Sequence, residues 1–164
     1  MSRTAHDFEF VSLDGKPLKL SGFKGKAVLV VNTASECGYT PQYAGLQTLW
    51  QANKAKGLVV LGVPSNDFGA QEPGDATAIG KFCRARYGVD FPLTLKQKVI
   101  GAGAHPFYRW IAEELGEAGS PRWNFHKYLI DRDGALAGAW PSSVAPDAEE
   151  LTAAIGAALD APAR

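Results

Sequence analysis

Two nearly uninterrupted apolar segments stand out in the hydrophobic pattern of the chain, KAVLVVN at 26–32 and LVVLGVP at 58–64. Segments of this kind are typical of strands that are buried on both faces of a sheet. Between them the apolar positions recur at helical spacing, at Tyr43, Leu46, Leu49 and Trp50. A strand, a helix and a second strand in this order predict a βαβ unit with parallel strands.

The other segments predict smaller elements around this unit. They are a hairpin at 7–20 that turns at Asp14-Gly15, a helix capped by Asp75 that runs to Arg86, an extended segment at 91–95, a helix from His105 to Leu115, a hairpin of 127–131 and 135–140, and a closing helix at 145–159. The polar stretch SNDFGAQEPGD at 65–75 is predicted to be a loop. The whole chain, 1–164, is therefore predicted to form one α/β domain with a central mixed sheet flanked by helices.

Composition and charge exclude several classes of protein. Lys plus Arg and Asp plus Glu both number 17, without a basic block, which argues against a nucleic-acid or membrane-surface binder. No signal peptide or membrane span is evident, so we expect a cytoplasmic protein without stable membrane insertion. The three histidines, His6, His105 and His126, lack metal-ligand spacing and are interpreted as surface or packing residues. We therefore expect no metal and no resident cofactor.

Cys37, one of two cysteines, lies between the first buried strand and a predicted helix start. Thr40 is predicted to be the N-cap of that helix and Pro41 its first residue. The positive end of the helix would favour a thiolate over a thiol, and a thiolate is the nucleophilic form of cysteine. A buried, inert cysteine is the alternative, but the polar neighbours of Cys37 argue against a core position.

Three further positions carry candidate chemistry. Gln71 lies in the loop after the second parallel strand, so it should return to the same sheet edge as Cys37. Trp123 and Asn124 precede the strand at 127–131, and their side chains could stabilise a developing anion, although turn and packing roles are equally compatible with the pattern. Cys83 lies on the apolar stripe of its helix, where a structural role is the default interpretation, and it is also the possible disulfide partner of Cys37.

Four blocks in the same order resemble the glutathione peroxidase family: VVNTASECGYTPQYAGLQTLW, LGVPSNDFGAQEPG, FCRARYGVDFP and WNFHKYLIDRDG. The resemblance runs from about Phe8 to Ile155 and implies a thioredoxin-like fold. It implies that Cys37 is the peroxidatic cysteine and that Gln71, Trp123 and Asn124 assist it. The Cys37 thiolate would reduce hydrogen peroxide or an organic or lipid hydroperoxide to water or an alcohol and become a sulfenic acid.

The resemblance also assigns Cys83 as the resolving cysteine of the two-cysteine members. Its thiol would condense with the sulfenic acid, and thioredoxin would reduce the resulting disulfide. A helical Cys83 on a packed face would have to move to do so, and the helix from Asp75 to Arg86 is therefore expected to unwind locally on oxidation. Gly80 within it weakens the helix and suits such opening.

The chain departs from the usual family pattern at Ser65, Asp67 and Ala70. Asp67 would disfavour a thiolate at Cys37 if the two residues were close. The short segments between 95 and 123 resemble those of the monomeric members, whose open site accepts bulky lipid hydroperoxides. Two alternatives stay open: a peroxidase that uses glutathione directly, and a peroxide sensor that passes oxidation to a partner protein.

Overall fold

The computed structural model describes residues 3–162 and contains six strands and four α-helices in that range. The strands are β1 (Glu9–Val11), β2 (Pro17–Lys19), β3 (Ala27–Thr33), β4 (Leu58–Pro64), β5 (Lys127–Ile130) and β6 (Leu136–Trp140). The helices are α1 (Gln42–Asn53), α2 (Ala76–Tyr87), α3 (Pro106–Leu115) and α4 (Glu149–Asp160).

Strands β3 to β6 form a four-stranded mixed sheet in the order β4-β3-β5-β6. β3 and β4 pair in parallel across the whole of both strands, with α1 as the crossover, which confirms the predicted βαβ unit. β5 pairs antiparallel with β3 and with β6, so the predicted C-terminal hairpin is also present. All residues of β3 and β4 are buried, which explains their uninterrupted apolar sequences.

Both faces of this sheet are covered, and each carries its own hydrophobic cluster. One cluster joins the sheet to α1, α2 and α4 and includes Tyr43, Ile79 and Ile155. The other joins it to α3 and the N-terminal hairpin and includes Phe10 and Phe107. A mixed sheet between two helical layers, with an N-terminal antiparallel hairpin, confirms the predicted fold class.

The peripheral elements agree with the predicted ones apart from their ends. The N-terminal hairpin pairs only over β1 and β2, and the extended segment forms isolated bridges from Leu93 to Gly62 and from Thr94 to Ser12. α4 begins at Glu149, later than the predicted 145, because the preceding segment forms turns. Asp75 caps α2 through the Ala78 amide at 2.9 Å, and Gly88 ends it in a left-handed conformation, as expected of a C-terminal glycine.

Candidate active site

Three segments meet at one edge of the sheet. The first follows β3 and carries Cys37, the second follows β4 and carries Gln71, and the third precedes β5 and carries Trp123 and Asn124. Because β5 runs antiparallel to β3, its beginning lies at the end of β3, where Val31 pairs with Lys127. The strand order therefore brings all of the predicted site segments except that of Cys83 to this edge.

Backbone hydrogen bonds hold these segments together. The Glu36 amide donates to the Gln71 carbonyl at 3.0 Å, which joins the Cys37 segment to the loop after β4. Asn32 fixes the third segment, because its side-chain amide donates to the Trp123 carbonyl at 3.0 Å and its carbonyl accepts from the Phe125 amide at 2.6 Å. The role of Asn32 could not be read from its position in an apolar strand.

Cys37 lies in a tight turn whose backbone contacts its own sulfur. The Tyr39 amide donates to the Cys37 Sγ atom at 3.3 Å, and the Cys37 amide donates to Thr40 Oγ1 at 2.9 Å. The Thr40 hydroxyl in turn donates to the Ala34 carbonyl at 2.8 Å. The turn therefore directs a backbone hydrogen-bond donor at the sulfur of the candidate nucleophile.

Two predictions about this turn are wrong. Thr40 does not cap α1, which begins at Gln42 after a 3₁₀-like turn, because the Thr40 hydroxyl is used within the turn by Cys37 and Ala34. Cys37 was also expected to lie outside the core, yet its residue is only 8% exposed and packs against the cluster beside α1. The folded turn covers the thiol with backbone, so its polar neighbours do not imply exposure.

The side chains of Gln71 and Asn124 form one hydrogen-bonded pair. Asn124 Nδ2 donates to Gln71 Oε1 at 3.0 Å, and Asn124 itself is fully buried. This bond occupies the acceptor end of the Gln71 amide and leaves its Nε2 group to donate elsewhere. Asn124 Oδ1 is buried without a hydrogen-bond partner among the described residues. In residues 3–162, no hydrogen bond links either side chain to the Cys37 sulfur.

Trp123 is the solvent-exposed member of the candidate site. It is 37% exposed, and its ring lies 5.7 Å from that of Phe68, centroid to centroid. A side chain at Gly69 would come within 3.1 Å of the Trp123 ring and 3.4 Å of Gln71, so this glycine permits close approach of the loop. An exposed aromatic face next to two amide side chains provides a surface for an apolar substrate with a polar group.

Two residues near this pair adopt left-handed backbone conformations that non-glycine residues rarely occupy. They are Ala70, with φ of 52°, and Phe125, with φ of 68°. Each such conformation costs about 1–2 kcal/mol, and such residues cluster at functional sites. Phe125 is held by full burial and an edge-to-face contact with Tyr43 at 5.3 Å. The family pattern has glycine where this chain has Ala70, so the substitution adds strain directly before Gln71.

Cys83 is fully buried on the inner face of α2. Both cysteines are free thiols. Burial raises the pKa of Cys83 to about 11; the Tyr43 hydroxyl opposes this shift and the negative charge of Glu72 adds to it. At neutral pH the Cys83 thiol is therefore protonated and, in this conformation, a poor nucleophile.

Lys127 is a buried cation next to the site that the sequence analysis did not identify. It is fully buried, and its Nζ atom donates to Gln42 Oε1 at 2.7 Å and to the Phe125 carbonyl at 2.8 Å. Gln42 Nε2 in turn donates to the Ser142 carbonyl at 2.8 Å. Burial lowers the pKa of Lys127 to about 7. The network ties the start of β5 to the first residue of α1, so it fixes the site segments relative to one another.

Asp67 does not direct its carboxylate to Cys37. Its Oδ2 atom accepts hydrogen bonds from the amides of Val99 at 2.6 Å and Ile100 at 3.3 Å. Its own amide donates to the buried Ser65 side chain at 3.3 Å. Ser65 and Asp67, two of the departures from the family pattern, therefore hold the loop after β4 and its neighbouring segment in place.

The histidines have packing and capping contacts. His105 stacks on Phe10 at 3.9 Å, accepts from the Phe107 amide through Nδ1 and donates through Nε2 to the Glu9 carbonyl. His126 is buried, and this burial lowers its pKa to about 4. The positive charges of Lys127 and Arg122 add to the shift.

Across residues 3–162, no three potential His, Cys, Asp or Glu ligands cluster as a metal site. None of the helices in this range is long and apolar enough to cross a membrane.

The family model of glutathione peroxidases matches residues 5–112. A glutathione peroxidase-like peroxiredoxin of Chlamydomonas reinhardtii is 44% identical over 147 residues, which cover 85% of this chain and 91% of that protein. A hydroperoxy fatty acid reductase of Synechocystis is also 44% identical, over 89% of this chain and 91% of its own.

Two solved structures also resemble this chain over nearly its whole length. The crystal structure of Trgpx in its apo form is 38% identical and superposes with a TM-score of 0.81, and each chain is covered completely. A thiol:disulfide interchange protein of the thioredoxin family from Chlorobium tepidum superposes with a TM-score of 0.68 at 19% identity, over 97% of this chain and 99% of its own. This second similarity shows that the fold is thioredoxin-like. From the family model and these relatives together, the chain belongs to the glutathione peroxidase family.

Proposed function

We propose that the chain is a thiol peroxidase in which Cys37 reduces hydroperoxides and Cys83 resolves the oxidised intermediate for reduction by thioredoxin. Membership of the glutathione peroxidase family makes the chain a peroxidase, with a hydroperoxide as substrate and a thiol as reductant. The assignment of the individual residues rests on the geometry of the sheet edge. The observation that carries it is the amide of Tyr39 at 3.3 Å from the Cys37 sulfur, in a segment that the Glu36 amide joins to the Gln71 carbonyl at 3.0 Å.

In the first step, the Cys37 thiolate attacks one oxygen of the hydroperoxide, and the O–O bond breaks. The sulfur becomes a sulfenic acid, and the leaving oxygen departs as water or an alcohol after it takes up a proton. Negative charge thus moves from sulfur to the leaving oxygen. The free Nε2 group of Gln71 and the indole N–H of Trp123 are the donors that would stabilise this oxygen. Asn124 would hold Gln71 in the orientation that this requires.

The substrate class proposed here includes organic and lipid hydroperoxides as well as hydrogen peroxide. The exposed Trp123 ring provides an apolar contact for an alkyl chain at the mouth of the site. The Synechocystis relative that is named a hydroperoxy fatty acid reductase supports this assignment.

In the second step, the Cys83 thiol would replace the hydroxyl on the Cys37 sulfur and form a disulfide. Disulfide formation requires Cα atoms within about 7 Å and suitably directed Cβ atoms. Because Cys83 faces the core from within α2, we propose that α2 unwinds locally to deliver it. Gly80, two turns before the end of this helix, weakens it by about 0.5–1 kcal/mol relative to alanine.

Thioredoxin is the proposed reductant because an intramolecular disulfide is the substrate of a dithiol reductant. The enzyme would act as a monomer in the cytoplasm, where thioredoxin keeps thiols reduced. The reductant is a co-substrate, and the mechanism requires no resident cofactor.

The reductant is tested by steady-state peroxide consumption of the wild-type protein. One arm supplies thioredoxin, thioredoxin reductase and NADPH, and the other supplies glutathione, glutathione reductase and NADPH. We expect turnover to be at least about tenfold faster with thioredoxin, because the second thiol of thioredoxin resolves its mixed disulfide intramolecularly, whereas with glutathione a second molecule must do so. Equal or faster turnover with glutathione would reject thioredoxin as the reductant, and slow turnover in both arms would favour a sensor.

A further inference from the structure

A small cavity of about 220 Å³ lies between the turn that carries Cys37 and the helix that carries Cys83. One wall is formed by Ser35 and Glu36, and the opposite wall by Ala78, Ile79 and Phe82 of α2, with residues 72–74 between them. Glu36 directly precedes Cys37 and Phe82 directly precedes Cys83. The cavity therefore lies next to both of the segments that carry the cysteines.

The cavity contains a buried carboxylate, that of Glu72. This residue is 1% exposed, and its Oε2 atom has no hydrogen-bond partner among the described residues. Its backbone is fixed, because its amide donates to Asn66 Oδ1 at 2.9 Å. A buried carboxylate oxygen without a donor is costly, so the position of Glu72 requires an explanation.

The surroundings of Glu72 make it a stronger base than an ordinary glutamate. Burial raises its pKa; Ser35 and the charge of Lys96 oppose the shift, and the charge of Glu36 adds to it. The charge of Glu72 also raises the pKa of Tyr43 on α1 and of Cys83 on α2, in addition to the larger effect of burial on each. Glu72 therefore lies within electrostatic reach of the resolving thiol.

The Cys83 thiol needs a base before it can attack. Burial keeps this thiol protonated while α2 is intact, and even a solvent-exposed cysteine with a pKa of about 8.5 is only a few per cent ionised at pH 7. Of the ionisable groups that face Cys83 in the described structure, Tyr43 and Arg84 cannot accept a proton at neutral pH, whereas Glu72 can.

We propose that Glu72 is the general base of the resolution step. This inference rests on the proposed function of Cys37 and Cys83. As α2 opens, the Glu72 carboxylate takes the proton of the Cys83 thiol, and the Cys83 sulfur attacks the sulfenic sulfur of Cys37. The S–S bond forms while the S–OH bond breaks, so the Cys83 sulfur is oxidised and the Cys37 sulfur is reduced. The leaving hydroxide takes the proton from Glu72 and departs as water.

The test separates the two half-reactions in Glu72→Gln, which keeps the shape and removes the base. Rapid mixing with one equivalent of hydrogen peroxide gives the rate of peroxide loss, and acid quenching with mass analysis gives the rate of disulfide formation. We expect disulfide formation to slow by about a hundredfold, while peroxide loss stays within about twofold of wild type. Glu114→Gln, which removes an exposed carboxylate of α3 outside the cavity lining, is expected to leave both rates unchanged.

The pH profile of the same step gives an independent readout that a structural role would not produce. Disulfide formation in the wild-type protein is expected to fall at acidic pH as Glu72 becomes protonated, and in Glu72→Gln the rate should rise with pH throughout. Wild-type and Glu72→Gln rates that agree, or a wild-type rate that is flat through the acidic range, would overturn the inference. If the wild-type protein lost peroxide without forming the Cys37–Cys83 disulfide, the proposed function itself would fail.

Discussion

Replacement of Cys37 by serine is expected to abolish peroxide reduction with every reductant, a loss of at least about a thousandfold. A serine hydroxyl is not ionised at neutral pH and is a far weaker nucleophile than a thiolate. The variant keeps the geometry of the turn, because serine can still accept the hydrogen bond from the Tyr39 amide. The measurement is steady-state consumption of hydrogen peroxide with thioredoxin and with glutathione.

The matched control for this prediction is the thermal unfolding of the variant. Since serine is close to cysteine in size, we expect a folded protein with a melting temperature near that of the wild type. A folded Cys37→Ser protein that retained more than a few per cent of wild-type activity would mean that a different group reduces the peroxide.

Replacement of Cys83 is expected to remove nearly all thioredoxin-driven turnover, by about a hundredfold or more, while the first reduction of peroxide proceeds normally. Without the second thiol, Cys37 stops as a sulfenic acid and no disulfide is offered to thioredoxin. Cys83 is fully buried, so serine would bury a hydroxyl at a cost of about 1–3 kcal/mol. Cys83→Ala avoids this cost, and both variants are compared in the same turnover assay.

Two outcomes decide the role of Cys83. Loss of turnover in both variants, with a retained single-turnover burst of peroxide consumption, supports a resolving cysteine. Unchanged thioredoxin-driven turnover in Cys83→Ala would show that Cys83 is only a core residue. Amide hydrogen exchange of the oxidised wild-type protein provides a further check, since α2 should lose protection relative to the reduced protein.

Much of the fold follows from local signals in the sequence. Strands β3 and β4 are buried on both faces, so each is a short and nearly uninterrupted apolar segment. Such a segment can be recognised from its composition and length without any long-range information. The ends of α2 were equally predictable, since Asp75 and Gly88 act through contacts with their immediate neighbours. The meeting of the Cys37 and Gln71 segments was predictable for a different reason, because parallel strands end at the same edge.

The details of the turn around Cys37 could not be predicted in the same way. A threonine before a proline is a strong cap signal, but the Thr40 hydroxyl bonds to Ala34 and Cys37 instead. Whether this hydroxyl caps α1 or forms hydrogen bonds within the turn depends on the path of the chain after β3. No local sequence pattern shows that path. The burial of Cys37 under its own turn depends on the same path and could not be predicted for the same reason.

Buried charges were also missed, since sequence patterns treat a charged residue as exposed. Lys127 opens the apolar segment KYLI, and only the presence of Gln42 and the Phe125 carbonyl at its ammonium group makes its burial tolerable. Glu72 lies among turn-forming residues and gives no signal at all. Both positions are set by contacts between segments that are distant in sequence.

The central claim is that the Cys37 sulfur itself breaks the O–O bond, and trapping its product is the most direct test. One equivalent of hydrogen peroxide is added to reduced Cys83→Ala protein without any reductant, in the presence of a reagent specific for sulfenic acids, and the Cys37 peptide is analysed by mass spectrometry. We predict that the peroxide disappears mole for mole with the appearance of the trapped sulfenic acid on Cys37. An unmodified Cys37 thiol, whether the peroxide persists or is consumed, would contradict the claim.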